Sequence, residues 1–421
     1  MKLLKVYPAK SVNGEVTIPS SKPETQRAIL VATLAKGTSK VFNDLRCVET
    51  NTMKNSCRSI GAKVTEYGNS LEIDGYQATG LTYKDIPVVN CIGSGLVART
   101  FLTLSSALEF PVIITGDQVL RDRIIEPLLS SLESLGVNLD YLAEPGKLPI
   151  LNRSTRLAGG CCVLPGNLSS QFISALLLAA PLAESPVEIE IQTEVYSKSY
   201  IRQTIAAMEH AGVKVEYSQA MDIFRVEPSE YQPVNTEVFG DYTSASYVLA
   251  KAALFPGKTV LHNMSEFSLQ GERAIVDVLK ALDVSIEYDF SGKTLTVNNE
   301  RSKLQGDLEF DVSDCPNIIP TLAALGAFVQ GRFRVIGGRL TNYHKSSRIQ
   351  AMITELRKMG VDIEPVYQGE LWDGFEVHGQ PEYEGGVTLS SWGDHRIFMS
   401  LMFASMKVRQ PNLLSGFESI D

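Results

Sequence analysis

A ten-residue phrase recurs five times along this chain of 421 residues. It reads RSIGAKVTEY, LESLGVNLDY, MEHAGVKVEY, LKALDVSIEY and LRKMGVDIEP, with pivots at Gly61, Gly136, Gly212, Asp283 and Gly360. The pivots lie 75, 76, 71 and 77 residues apart. Each copy closes an amphipathic run, turns at Gly or Asp, and enters an alternating strand such as 213–217. A glycine suits a helix end because it takes the left-handed conformation without a Cβ clash. A second strand follows in LEIDG, FRVEP, LTVNN and FEVHG, and another helix and strand fill the space between phrases. Gly-Val after a helix is common in α/β proteins, but five copies at nearly constant spacing are not explained that way. The chain is therefore expected to hold six α/β units grouped three and three, the sixth degenerate or split.

Charge and composition narrow the function. The net charge is −9, without a long basic block, which argues against a nucleic-acid partner. Cations converging at one place would stand out against this background and favour a small anionic ligand. No run of about 18 apolar residues occurs, so no membrane span is expected. The opening MKLLKVYPAK is too short in apolar residues for a signal peptide, and a cytoplasmic protein is expected. The six cysteines form no CxxC pair, and Cys161 and Cys162 are adjacent. None of the five histidines (210, 262, 344, 378 and 395) lies in HExxH. Buried reduced thiols, no metal and no cofactor are expected.

Several helices are expected to begin in polar clusters. Ser20 to Arg27 precedes AILVATLAKG, Gly93-Ser94-Gly95 precedes LVARTFLTL, and Asn167 to Gln171 precedes FISALLLAAPLA. Ser197-Lys198-Ser199-Tyr200 precedes IRQTIAAMEHAG, and Trp392 to Arg396 precedes IFMSLMFASM. A sixth start lies in TNYHKSSRIQ, 341–350, ahead of the apolar positions Ile349, Met352, Ile353, Leu356 and Met359. Serine is explained by capping. Lys22, Arg27, Arg123, Lys345, Arg348 and Arg396 are not, since a cation at a helix start is mildly unfavourable unless an anion is there. Helix starts and arginines in one place make a polyanion site.

SKPETQRA, GNLSSQFISALLLAAPL, SKSYI, GDYTSASY and GDHRIFMS then carry a resemblance. The chain resembles the 5-enolpyruvylshikimate-3-phosphate (EPSP) synthase family over nearly its whole length. The resemblance implies an α/β fold: two domains, each of three βαββαβ units in an inside-out barrel, with helix N-termini facing an interdomain cleft. The expected domains are 20–239, and 1–19 joined with 240–421. The implied activity is transfer of the carboxyvinyl group of phosphoenolpyruvate to the 5-hydroxyl of shikimate 3-phosphate. Lys22, Arg27, Ser169, Ser170, Gln171, Ser197 and Tyr200 resemble the shikimate-phosphate side. Gly95, Arg123, Arg348 and Arg396 resemble the phosphoenolpyruvate side, sharing Lys22 and Gln171. A monomer with small anionic partners is implied.

The departures fall on proton transfer. The family aspartate before I-x-P becomes Asn317, with Asp314 a few residues earlier as a possible substitute. The family's K-E-[TS]-D-R becomes His344-Lys345-Ser346-Ser347-Arg348, placing Lys345 at the glutamate. The GNAGT loop reads IGSGL, the serine after the first lysine is Pro23, and Leu340 replaces an asparagine. Candidate catalytic residues are thus Lys22, Asp314, Asn317, His344 and Lys345. Three readings stay open: impaired carboxyvinyl transfer, with Asp314 or His344 as base and Lys22 as proton donor; a diverged enzyme eliminating phosphate from a shikimate-3-phosphate-like substrate, with His344 or Lys345 as base; and a non-catalytic ligand-binding homologue.

Overall fold

The structure, a computed structural model, describes residues 2–75, 86–154, 156–300, 303–343 and 346–420. The chain divides into two units, one of Ser20–Phe239 and one of Met1–Pro19 with Gly240–Asp421.

Within the unit Ser20–Phe239, three four-stranded sheets share one plan. The first runs Asn235–Glu237, Thr38–Phe42, Ser70–Asp74, Lys63–Tyr67; the second Val88–Asn90, Val112–Thr115, Ile150–Asn152, Leu139–Tyr141. The third runs Gly160–Leu164, Val187–Ile191, Ile223–Val226, Glu216–Tyr217. In each, the first two strands are parallel and the later pairs antiparallel. A parallel pair needs a crossover. The helices Gly95–Leu104 and Ser170–Ala179 supply it in the second and third sheets, and both are buried along most of their length. In the first sheet the leading strand comes instead from the far end of the unit, at Asn235–Glu237, and pairs with Thr38–Phe42. The helix before Thr38, Lys22–Leu34, is buried from Thr25 to Leu34, which marks it as a core helix rather than a surface one.

The other unit repeats the plan with its own split. One sheet runs Ser285–Tyr288, Leu295–Asn299, Gly257–His262, Gly14–Thr17. Another runs Leu304–Gln305, Val329–Ile336, Leu371–Gly379, Asp362–Gln368, with Leu308–Asp311 also on Val329–Ile336. A third holds Leu3–Val6, Asn412–Ser415 and Thr388–Ser390, and beside it in sequence a parallel pair joins Tyr383–Gly385 to Val408–Gln410. This is the sixth repeat, completed by the N-terminal strand.

The five pivots all take positive φ: 103° at Gly61, 83° at Gly136, 82° at Gly212, 57° at Asp283 and 86° at Gly360. Each closes its helix in the same way. The pivot N–H donates three residues back, and the next residue donates five back, as Gly212 does to Glu209 and Val213 to Met208, both at 3.0 Å. The residue after the pivot is buried in every copy: Ala62, Val137, Val213, Val284 and Val361. Glycine supplies the turn, and the apolar residue behind it anchors the strand.

Cys57, Cys91, Cys162 and Cys315 are buried, and burial pushes the first three thiols up to about 12. Cys161 departs from the expectation of buried thiols. It alternates with Cys162 on the strand Gly160–Leu164 and so faces solvent, where its sulfur and the carboxylates of Glu188 and Glu190 lie within 4.8 Å of one another. Among the described residues no helix is long and apolar enough to cross a membrane.

Candidate active site

In the unit Ser20–Phe239 the polar helix starts are capped as serine predicts. Ser21, Ser94 and Ser169 are the N-caps of Lys22–Leu34, Gly95–Leu104 and Ser170–Ala179, each accepting from its own first turn. Ser197 also precedes a helix, Lys198–His210, but in a left-handed conformation (φ 55°) and without a side-chain cap. Ser197 and Ser170 are nearly buried.

Arg27 is not a solvated surface charge. It is 3% exposed and donates to Thr204 Oγ1 at 2.8 Å, Tyr200 O at 2.9 Å and Pro23 O at 3.0 Å. Its guanidinium lies over the Tyr200 ring, 5.9 Å from the centroid. Thr204 passes the chain on to Ser174 Oγ at 2.9 Å, on the helix that Ser169 caps. Burial lowers the Arg27 pKa to about 10, partly offset by Tyr200 and Glu24, so it stays charged at neutral pH. Lys22, by contrast, is half-exposed and paired with Glu49 at 2.8 Å. Burial would raise the Glu49 carboxyl, but the Lys22 charge and hydrogen bond hold it down at about 2.

A second cation cluster surrounds Gly95. A Cβ placed there would stand 2.9 Å from Arg123 Nη1, 3.2 Å from Arg99 Nη1 and 3.5 Å from Gln171 Oε1. Arg99 escaped the sequence reading, although it lies four residues after Gly95 and hence on the same helix face. It donates to Gln171 Oε1 and to Ile124 O, and its Nε has no partner among the described residues. Burial first, and then the like charge of Arg123, lower it to about 10.

The unit Gly240–Asp421 holds Arg348, Asn317, Asp394 and Arg396. The helix of the TNYHKSSRIQ segment begins at Arg348, later than its basic cluster suggests. Of the three basic groups there, His344 and Lys345 lie outside the described residues. Arg348 is 8% exposed, and its Nε donates to Asp394 Oδ2 at 3.0 Å. Its Nη1 donates to Asn317 Oδ1 at 3.0 Å, and Asn317 Nδ2 in turn donates to Glu272 Oε1 at 3.0 Å. Glu272 is buried, and no sequence signal placed it beside position 317. Asp394 also accepts from Ser346 Oγ at 3.1 Å and caps the helix His395–Ser405 through the Arg396 N–H at 2.8 Å. Burial would raise the Asp394 carboxyl, but the Arg348 charge and hydrogen bond hold it at about 2. Asp314 is half-buried and lies just before the short turn Pro316–Ile318 that carries Asn317.

A sequence model of the family described as EPSP synthase (3-phosphoshikimate 1-carboxyvinyltransferase) matches residues 6–421. The chain belongs to the EPSP synthase family. It is 33% identical to the 3-phosphoshikimate 1-carboxyvinyltransferase of Methanothermobacter thermautotrophicus, over 96% of this chain and 92% of that relative. It is 30% identical to the protein of that name from Methanocaldococcus jannaschii, over 100% of this chain and 95% of the other. Among solved structures it is similar to an EPSP synthase from Acinetobacter baumannii, with a TM-score of 0.86 at 22% identity, covering 100% of this chain and 95% of that one. The two-unit α/β fold is therefore that of the EPSP synthase family. The cation clusters around Arg27, Gly95 and Arg348 are arrangements of one of its members.

Proposed function

We propose that this chain binds shikimate 3-phosphate and phosphoenolpyruvate and transfers the carboxyvinyl group between them, slowed by the amide at position 317. One observation carries the anion-binding part. Arg27 is charged and 3% exposed, Arg99 is charged and half-buried with its Nε shut off from solvent, and neither forms an ion pair among the described residues. Buried cations are ordinarily paired. Anionic ligands would complete both clusters. The shikimate-phosphate set is Lys22, Arg27, Ser169, Ser170, Gln171, Ser197 and Tyr200. Gly95, Arg99, Arg123, Arg348 and Arg396 are the further anion-binding groups.

In the transfer, the 5-hydroxyl oxygen bonds to C2 of phosphoenolpyruvate while its proton leaves and the methylene carbon gains one. The intermediate then loses phosphate from C2 and a proton from the methyl carbon, restoring the double bond. These steps need a base and a proton carrier. Asn317 is an amide and takes no proton at neutral pH. Asp394 is a carboxylate but a poor base, because three donors already hold it and its pKa is about 2. Lys22 and Asp314 remain as candidates, with His344 and Lys345. Loss of one positioned proton-transfer group slows a reaction by about two to four powers of ten.

The test incubates the protein with shikimate 3-phosphate, with and without phosphoenolpyruvate, and measures phosphate release and product mass. Slow release that requires phosphoenolpyruvate, giving the enolpyruvyl ether, is expected. Release without phosphoenolpyruvate, with a dehydrated diene acid as product, would establish elimination instead. Binding without any release would leave a ligand-binding homologue.

A further inference from the structure

Tyr247 stands on the helix Tyr242–Leu254 and is 8% exposed. Its hydroxyl oxygen is buried and has no hydrogen-bond partner among the described residues. Other buried tyrosines here are satisfied. Tyr231 donates to Leu178 O at 2.9 Å, Tyr242 to Ser265 O at 2.8 Å and Tyr383 to Ala327 O at 2.9 Å. A buried phenol without a partner is uncommon because its desolvation is not compensated.

The surroundings say what kind of partner fits. The charges close enough to act on the Tyr247 hydroxyl are the guanidiniums of Arg396 and Arg348 and the carboxylates of Asp241 and Asp394. Both carboxylates are committed elsewhere. Asp241 caps the tyrosine's own helix, accepting from Ser244 N at 3.0 Å and Ser244 Oγ at 2.8 Å. Asp394 accepts from Arg348, Ser346 and the Arg396 N–H. An O–H donor without an acceptor thus stands beside two cations. A small anion fits such a place, accepting from the phenol within the positive field of the arginines, of which Arg348 is already paired with Asp394.

We propose that the Tyr247 hydroxyl is a ligand-binding donor, hydrogen-bonding an oxygen of the anion held by Arg348 and Arg396. Burial holds the phenol up at about 12, so it donates throughout the neutral range. An uncharged donor adds what two arginines lack. It forms a short directed bond to one oxygen without adding a third positive charge, and so fixes the orientation of the anion. The proposal rests on the anion-binding reading above, with phosphoenolpyruvate as the anion concerned.

The test is Tyr247→Phe, which keeps the ring and removes only the oxygen. Three quantities are compared with the parent protein: the melting temperature without ligand, and the separate dissociation constants for phosphoenolpyruvate and shikimate 3-phosphate. The variant should melt no lower than the parent, because an unpaired buried hydroxyl contributes nothing to hold the fold. The phosphoenolpyruvate dissociation constant should rise about tenfold or more, as for loss of a hydrogen bond to a charged group. Shikimate 3-phosphate binding should not change. If the parent binds phosphoenolpyruvate and the variant binds it equally well, the proposal is overturned while the anion-binding reading stands. If the parent itself fails to bind, both fall. A lower melting temperature with equal weakening for both ligands would make Tyr247 structural and also overturn it.

Discussion

Replacing Asn317 by Asp restores the family carboxylate, yet the structure predicts that the new group will not behave as a free base. The amide nitrogen it replaces lies 3.0 Å from Glu272 Oε1, and the amide oxygen 3.0 Å from Arg348 Nη1. Two unit charges at that distance interact by about 5 kcal/mol at an effective dielectric constant of about 20. Repulsion from Glu272 and attraction to Arg348 therefore nearly cancel. What remains is the desolvation of a second carboxylate against a neighbour that is 2% exposed. Two carboxyls sharing one site relieve this by keeping a proton between them, which raises one pKa. Each unit of that rise costs the folded state about 1.4 kcal/mol once the solution is too alkaline for the proton to stay. A rise of about two units amounts to about 3 kcal/mol, or about 6 to 12 °C for a unit of this size. The folded pKa lies above the unfolded one, so the folded state binds more protons between the two. Stability of Asn317→Asp relative to the parent then falls as pH rises from about 4 through the raised pKa. Melting curves of both proteins at pH 5 and pH 8.5 measure this directly. An offset between them that is the same at both pH values would refute the shared-proton argument. Transfer activity of the variant should increase, and most strongly at alkaline pH where the pair gives up its proton.

Arg27→Ala should weaken shikimate 3-phosphate binding by more than tenfold and remove much of its salt dependence, which titration calorimetry at two salt concentrations would read. Glu49→Gln releases Lys22 from a half-exposed pair, so it should cost under about 1 kcal/mol of stability while tightening phosphate-ligand binding severalfold in the same calorimetry. Asp394→Asn leaves Arg348 buried beside Arg396 without its carboxylate and should cost about 3 kcal/mol or more, seen in urea unfolding. The depressed Asp394 carboxyl contributes about 2 kcal/mol in the parent above about pH 4, lost as pH falls through about 2, so the variant should show a shallower acid limb. Gly95→Ala puts a methyl group against the flexible ends of Arg123 and Arg99; phosphoenolpyruvate affinity should drop with an unchanged melting temperature, and a matching loss of stability would mean that the backbone had moved instead.

The repeat was legible because its signal is local. A helix, a left-handed pivot and a buried residue behind it fit within ten positions, and even Asp283 adopts the pivot conformation of its glycine counterparts. The sixth repeat was harder, since its strands Leu3–Val6 and Asn412–Ser415 come from opposite ends of the chain. Serine caps at 21, 94 and 169 were readable for the same local reason. Partners far away in sequence were not. Thr204 is 177 residues from Arg27, Glu272 is 45 from Asn317, and Asp394 is 46 from Arg348. Residue type and spacing marked these arginines, and the family resemblance marked Asn317, but only the folded chain shows that Asn317 connects Arg348 to a buried carboxylate.

The split sixth repeat also sets an order of events during synthesis. The strand Asn235–Glu237 closes the first unit's opening sheet, so every strand of that unit exists once the ribosome has passed residue 239. The second unit must wait. Its strands Leu3–Val6 and Gly14–Thr17 precede that unit in the chain, but their partners Asn412–Ser415 and Gly257–His262 follow it. Until residues 412–415 are made, the strand Leu3–Val6 emerges as an unpaired edge, exposed to mispairing and to proteolysis. A ribosome stalled after residue 300 should therefore display a protease-resistant 20–239 unit with the strand Leu3–Val6 still cleavable, and that strand should become protected only once Asn412–Ser415 has emerged.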